Sequence, residues 1–169
     1  MINLKRILVP VDFSDGSALA LNYGASFARQ YAAEVHLLHV FEEEFMPPMP
    51  MEMPMTLPAT GGIPQQDIHE QMRQFVGDGC KDLSIVTTVL GGNVAANIIE
   101  YAADNRIDLI IIGAHGRSGI LTTLLGDTSY AVTRQADCPV LTVRPTQRTF
   151  IDQPEAGIGP MAGSETKGG

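Results

Sequence analysis

Five short runs of apolar residues are spaced along the first 145 positions of the chain. They are rich in Ile, Val and Leu with little polar alternation, which is typical of strands buried on both faces of a parallel sheet. The sequence therefore predicts five strands, which are Arg6–Val11, Glu34–Phe41, Ser84–Leu90, Asp108–Gly113 and Cys138–Arg144.

Four segments between and beside these runs have the apolar spacing of amphipathic helices. Ser14 and Asp15 supply N-cap chemistry for the first helix, whose apolar stripe runs to about Ala32. Strands and helices that alternate in this way require parallel strands with helical crossovers, and hence an α/β fold with a doubly wound sheet and helices on both faces. The pattern leaves the strand order open. The other predicted helices are Gln65–Cys80, Val94–Asn105 and Gly126–Gln135.

Two segments break this alternation. Residues 45–64 are rich in Met and Pro, a composition that neither a helix nor a central strand tolerates, and we expect a mobile loop there. Residues 146–169 lose the periodicity and become rich in Gly, Pro, Ser and Thr, so we expect a disordered tail. The sequence predicts one domain over residues 1–145, followed by that tail.

The overall composition narrows the functional classes. A net charge of -8 and a total of 11 Lys and Arg residues leave no basic surface for a phosphate backbone, which argues against nucleic-acid binding. The apolar runs are much shorter than the about 20 residues that a membrane span needs, and the first residues lack the apolar core of a signal peptide. We therefore expect a cytoplasmic protein.

Cysteine, methionine and histidine do not form a recognisable metal site in the sequence. Cys80 and Cys138 lack CxxC spacing, and we expect two reduced thiols. The five methionines between positions 46 and 55 lie among prolines, which favours a flexible apolar loop over a copper site. His36 and His39 alternate with apolar residues, so we interpret them as strand residues rather than metal ligands.

The candidate chemistry lies at the carboxyl ends of the predicted strands, where ligands bind in open parallel sheets. Asp12 follows the first strand, Val40 lies near the end of the second, and Gly113 ends the fourth. The loop Gly113-Ala-His-Gly-Arg-Ser-Gly119 is rich in glycine, and Gly126 opens the next helix. Glycine lets backbone N–H groups approach an anion, and a helix N-terminus adds its dipole. The spacing is neither that of the Walker motif nor that of the dinucleotide fingerprint.

Several of these segments together resemble the universal stress protein family. Gly113-x-x-Gly116, followed by nine residues and Gly126, is similar to that family's nucleotide-binding pattern. The resemblance covers residues 1–145 and implies a Rossmann-like sheet of strand order 3-2-1-4-5, like that of adenine nucleotide alpha hydrolases. It also implies a homodimer formed through the fifth strand, residues 138–144. The segments that carry it are Ile7-Leu-Val-Pro-Val-Asp-Phe-Ser14, Leu37-Leu-His-Val40, Asp108-Leu-Ile-Ile-Ile-Gly-Ala-His-Gly-Arg117 and Cys138-Pro-Val-Leu-Thr-Val-Arg144.

The same resemblance implies an adenine-nucleotide site with ATP as the ligand. Asp12 would accept a hydrogen bond from the adenine amine, and the backbone of Val40 would meet the base. Gly113, Gly116 and Gly126 would line the ribose and the phosphates. The full set of expected binding residues is Pro10, Val11, Asp12, Val40, Ile112, Gly113, Gly116, Arg117, Gly126, Asp127, Thr128 and Ser129.

Asp127 departs from the family's pattern, because nucleotide-binding members usually carry Ser or Thr after the third glycine. A carboxylate about 4 Å from a phosphate charge is repelled by roughly 4 kcal/mol at an effective dielectric of about 20. Two arrangements avoid this repulsion. Asp127 either turns away to cap the helix, which leaves Thr128 and Ser129 for the ligand, or helps to hold Mg²⁺ between oxygens.

Three functions fit the sequence. The first is a regulatory module of the stress response, in which bound ATP changes a surface that an unidentified protein partner reads. The second is a nucleotide-free dimeric interaction protein that has lost ATP because of Asp127. The third, an FMN protein of the flavodoxin kind, is disfavoured because no Ser- or Thr-rich phosphate loop follows the first strand. No catalytic set or metal cluster is recognisable, so at most slow ATP hydrolysis is expected.

Overall fold

The computed structural model describes residues 1–42, 65–114, 125–145, 148, 150 and 151. The predicted loop over residues 45–64 and nearly all of the predicted tail over residues 146–169 lie outside this part of the chain, as do residues 115–124 of the glycine-rich loop. The described residues form alternating strands and helices. In chain order these are β1 (Arg6–Pro10), α1 (Asp15–Tyr31), β2 (Glu34–Phe41), α2 (Gln65–Val76), β3 (Ile85–Gly91), α3 (Val94–Asp104), β4 (Leu109–Gly113), α4 (Asp127–Gln135) and β5 (Val140–Val143).

The five strands form one parallel sheet in the order β3-β2-β1-β4-β5, which confirms the order that the family resemblance implies. The chain first builds outward from β1 to β2 and β3, then crosses back to β4 and β5 on the other side. The order therefore reverses between β1 and β4, and a crevice opens at their carboxyl ends.

Both faces of the sheet are covered by helices, as predicted. Ile7 and Val9 of β1 belong to the cluster that includes α1 and α2, whereas Leu8 between them belongs to the cluster of α3 and α4. Successive side chains of a strand point to opposite faces, so the apolar run from Ile7 to Pro10 is continuous because both faces of β1 are buried there. All three side chains are fully buried.

The ends of the helices follow local chemistry. Ser14 is the N-cap of α1, and its side chain accepts a hydrogen bond from the N–H of Ser17, as the cap prediction requires. The predicted extension of the second helix to Cys80 is wrong. Gly77 adopts a φ of 61°, which ends α2 at Val76, and a single 3₁₀ turn over Asp78–Cys80 follows.

Two contacts hold the surface of α1 to neighbouring segments. Arg29 donates through Nε and Nη2 to the carboxylate of Asp82, both at 2.8 Å, and this hydrogen-bonded guanidinium lowers the pKa of Asp82. Beyond β5, the ring of Phe150 packs edge-on against Tyr23 at a centroid distance of 5.1 Å. The chain thus returns to α1 after residue 145, while the predicted domain boundary at that residue stays a prediction.

Candidate functional site

The carboxyl ends of β1 and β4 form the centre of the candidate site. Ile7 pairs with Leu109 and Leu8 with Ile110, and continuing that register brings Pro10 level with Ile112. Beyond Pro10, the N–H of Val11 donates to the Leu38 carbonyl at 2.8 Å, so the strand end is tied to β2 as well. The structure therefore brings four of the predicted binding residues together here, namely Pro10, Val11, Ile112 and Gly113.

Gly113 lies where β4 meets the first turn of α1. A Cβ added to Gly113 would stand 2.8 Å from the carbonyl carbon of Gly16, which is closer than real Cβ atoms come, and 3.0 Å from its oxygen. Glycine is therefore required for the helix and the strand to approach each other. This packing role accounts for Gly113 independently of any ligand, and the sequence reasoning missed Gly16, whose only signal is a glycine in the first helical turn.

The N-terminus of α4 is attached to the end of β4. The N–H of Gly126 donates to the Ala114 carbonyl at 2.9 Å, and Ser129 Oγ donates to the Gly113 carbonyl at 2.7 Å. Because the first N–H groups of a helix have no partner inside it, this attachment presents donors and the positive end of the helix dipole beside β4. The hydroxyl of buried Ser129 already donates its proton to this carbonyl, and Thr128 is half-buried in the same turn.

Asp127 is the first residue of α4, and its side chain is exposed. The interpretation of Asp127 as the helix N-cap is wrong, because Gly126 occupies that position in an extended conformation and no side chain caps the helix. A carboxylate in the first turn still interacts favourably with the helix dipole. It also adds a negative charge at the mouth of the crevice, where an anion would have to enter.

Asp12 lies in the turn between β1 and α1. Its Oδ1 accepts hydrogen bonds from the N–H of Ser14 at 3.1 Å and from the Ser14 hydroxyl. Asp12 therefore supports the N-cap residue of α1 and is not the cap itself. Its half-buried carboxylate is oriented by this turn at the switch point, the place that the sequence predicted.

The second strand contributes more than its predicted residue Val40. Val40 is half-buried near the end of β2 and packs against the cluster of α3 and α4. The adjacent His39 places Nδ1 2.7 Å from the Val11 carbonyl, and Phe13 contacts the His39 ring at a centroid distance of 4.8 Å. The sequence reasoning assigned His39 no role, since an alternating strand histidine does not reveal which side chain or backbone group faces it.

Two predicted residues, Gly116 and Arg117, lie outside the described residues. Within the part of the chain that is described, no group of three or more His, Cys, Asp or Glu side chains is arranged to hold a metal ion. Burial raises the pKa of the Cys138 thiol, which keeps this group protonated near neutral pH and hence a poor nucleophile. Neither cysteine forms a disulfide.

None of the described helices has the length and apolarity needed to span a membrane. A doubly wound parallel sheet with two helix N-termini at its switch point defines a Rossmann-like α/β protein, the class in which this crevice is the place for a ligand.

Comparison with known proteins identifies the family within this class. The family model for the universal stress protein family matches residues 3–144. The chain is 30% identical over 154 residues to the universal stress protein YxiE of Bacillus subtilis, covering 83% of this chain and 99% of the relative. It is 29% identical over 141 residues to the universal stress protein MJ0531 of Methanocaldococcus jannaschii, covering 83% and 82%. The chain belongs to the universal stress protein family.

Solved structures share the fold. The universal stress protein UspA of Lactobacillus plantarum superposes with a TM-score of 0.65 at 24% identity, covering 85% of this chain and all of that one. A universal stress protein in complex with cAMP gives a TM-score of 0.59 at 21% identity, covering 84% and 98%. A universal stress protein from Archaeoglobus fulgidus in complex with dAMP gives 0.54 at 20% identity, covering 84% and 98%.

Proposed function

We propose that this chain is a dimeric, cytoplasmic regulatory protein of the stress response that binds an adenine nucleotide, with ATP as the expected ligand. The observation that carries the proposal is the convergence of α1, α4 and Asp12 on the crevice between β1 and β4. The complexes of two structurally similar family members with cAMP and with dAMP support the choice of an adenine nucleotide.

The polar groups around the crevice suit a base at one end and an anion at the other. A carboxylate such as that of Asp12 accepts a hydrogen bond from an exocyclic amine, and the backbone at Val40 supplies further polar groups for the base. The N–H groups in the first turn of α4 suit phosphate oxygens. In this proposal Gly113 and Gly126 allow close approach of the ribose and phosphates, and Gly116 and Arg117 belong to the same loop.

The negative charge of Asp127 is expected to lower the affinity for the nucleotide. Two like unit charges about 4 Å apart repel by roughly 4 kcal/mol at an effective dielectric of about 20 but by only about 1 kcal/mol in bulk water. Because Asp127 is exposed, we take the lower value, which corresponds to about a fivefold loss of affinity. Mg²⁺ between the carboxylate and the phosphates would reduce this loss further.

The test is calorimetry with ATP, in the presence and absence of Mg²⁺, on the wild-type chain and on Asp127→Ser. We expect the wild type to bind and Asp127→Ser to bind about fivefold more tightly. Asp104→Ser is the matched control, because this exposed carboxylate lies at the last residue of α3, at the opposite end of the sheet. Assay of nucleotide released from the denatured protein provides a second measure.

One alternative function is favoured by a specific observation. Asp127 is exposed in the first turn of α4 and carries a negative charge there. A nucleotide-free, dimeric interaction protein would tolerate this charge, whereas an ATP-binding protein would have to overcome its repulsion of the phosphates. Failure of the wild type to bind any adenine nucleotide, with recovery in Asp127→Ser, would establish this alternative. Failure of both proteins would reject the nucleotide site itself.

A further inference from the structure

Three aromatic rings from three different elements meet beside the carboxyl end of β1. Phe13, in the turn before α1, lies 4.8 Å from the ring of His39 in β2 at an interplanar angle of 40°. Phe75, near the end of α2, packs edge-on against Phe13 at a centroid distance of 5.6 Å and an interplanar angle of 84°. We call Phe13, His39 and Phe75 the ring cluster. It connects α2 physically to the turn that carries Asp12.

The ring cluster holds the residues on both sides of Asp12. His39 Nδ1 lies 2.7 Å from the carbonyl oxygen of Val11, and since a carbonyl only accepts, Nδ1 carries the proton and donates. Val11 directly precedes Asp12, and Phe13 directly follows it. The peptide groups that determine the direction of the Asp12 side chain are therefore both in contact with the cluster.

Phe13 has a backbone conformation that only its surroundings can maintain. Its φ of 63° lies in the left-handed region, which a bulky L-residue rarely adopts and which persists where packing enforces it. This conformation brings Ser14 N–H and its hydroxyl onto Asp12 Oδ1. A change in the packing of the Phe13 ring would be transmitted directly to the orientation of the Asp12 carboxylate.

We propose that the ring cluster positions Asp12 for recognition of the base and couples the nucleotide site to α2. The proposal rests on the proposed nucleotide-binding function. Phe75 is 97% buried, so α2 cannot shift without moving this ring against Phe13. Coupling between two sites is reciprocal in free energy. A partner that binds and displaces α2 would therefore alter the affinity for the base, and nucleotide binding would alter α2.

The test measures discrimination of the base rather than affinity alone. ATP carries the exocyclic amine that Asp12 accepts from, whereas ITP has a carbonyl at that position and the same triphosphate. Phe75→Leu keeps an apolar side chain at this position but removes the ring edge from Phe13. We expect the ratio of ATP to ITP affinity to fall about fivefold while ITP affinity changes little. A loss of both affinities in equal proportion would indicate general destabilisation and overturn the proposal.

The matched control is Phe27→Leu, which removes an aromatic ring of α1 that stacks on Tyr31. It should leave the ATP to ITP ratio unchanged. A rescue pair tests the donor: His39→Asn keeps an N–H near the position of Nδ1, whereas His39→Leu removes it. We expect His39→Asn to retain more base discrimination than His39→Leu, and equal losses would contradict a positioning role for the His39 hydrogen bond.

A ligand-free measurement separates this proposal from the proposed function. If the wild type binds no nucleotide, the function fails, and the cluster is judged by NMR. Phe75→Leu should shift the ¹⁵N resonances of the His39 ring and the amide of Ser14, which reports on Asp12, while Phe27→Leu should not. Unchanged His39 and Ser14 resonances in folded Phe75→Leu would overturn the coupling.

Discussion

The residues at the crevice have structural roles that the sequence motif alone does not reveal. Gly113 allows α1 to approach β4, and Ser129 holds the first turn of α4 on the Gly113 carbonyl. Asp12 supports the N-cap residue of α1. These three predicted binding residues thus also maintain the geometry of the crevice, and a substitution at any of them should affect stability as well as ligand binding.

Gly113→Ala and Gly24→Ala distinguish two kinds of close packing. The new Cβ at residue 113 would stand 2.8 Å from backbone of Gly16, whereas at residue 24 it would stand 2.9 Å from a methyl group of Val9. Backbone yields less readily than a side chain, so we expect Gly113→Ala to destabilise by roughly 1–3 kcal/mol. At Gly24, alanine gains about 1 kcal/mol of helix propensity, which offsets part of its strain.

Urea unfolding of the two variants and of the wild type checks this difference. Gly113→Ala should have the lower midpoint. A Gly24→Ala protein that is equally or more destabilised would show that the approach of Gly113 to Gly16 is not a rigid contact.

At the scale of elements, a partly buried chain of polar groups joins α3 to the sheet. His36 Nδ1 lies 2.9 Å from the hydroxyl of Tyr101, which lies 3.2 Å from Thr88 Oγ1, and His36 Nε2 lies 3.2 Å from Glu34. An ionised Glu34 accepts, which puts the ring proton on Nε2 and leaves Nδ1 to accept from Tyr101. The sequence interpretation of His36 as a strand residue fits this structural role.

Tyr101→Phe tests the strength of that connection. It leaves buried His36 Nδ1 and the Thr88 hydroxyl without the phenol, and we expect a loss of roughly 1–2 kcal/mol in the free energy of unfolding. Tyr130→Phe is the control, because Tyr130 is exposed and its hydroxyl contacts Arg134 at the surface of α4. Its expected effect is below about 0.5 kcal/mol. Equal effects in denaturant titrations would show that this chain of polar groups contributes nothing specific.

At the scale of the whole molecule, β5 and β3 are the two edge strands of the sheet. Val140–Val143 has no charged residue, which leaves an uncharged edge of the kind that pairs with another chain. The dimer in the proposed function would form by antiparallel pairing of two copies of β5. Such a dimer places the middle of the strand opposite its own copy.

Thr142→Lys tests this dimer, since it would bring two like charges together near the symmetry axis. We expect analytical ultracentrifugation to show a dimer for the wild type and a shift toward monomer for Thr142→Lys. Thr87→Lys is the matched control, because it places the same charge at an exposed position on the opposite edge strand β3. A wild type that is monomeric at micromolar concentration, or a dimer that tolerates Thr142→Lys, would contradict pairing through β5.

The sequence by itself determined the elements and the family. Five runs rich in Ile, Val and Leu encode the five strands, and Ser14 marks the start of α1, because both signals act over a few neighbouring residues. The motif at Asp12, Gly113 and Gly126 located the crevice, since parallel strand ends after β1 and β4 meet at one edge. The helix end at Gly77 was missed because the apolar pattern continues past a glycine whose positive φ is not visible in sequence.

Only the tertiary structure decided which groups face each other. Gly113 meets Gly16, and His39 donates to Val11, and the partners in both contacts lie far apart in the chain. Gly126 rather than Asp127 occupies the cap position, where its N–H donates to the Ala114 carbonyl. The ring cluster likewise joins three elements that no local pattern links. Local periodicity specifies secondary structure, whereas contacts across the crevice arise only when the sheet order and the helix approach have been set by packing of the whole core.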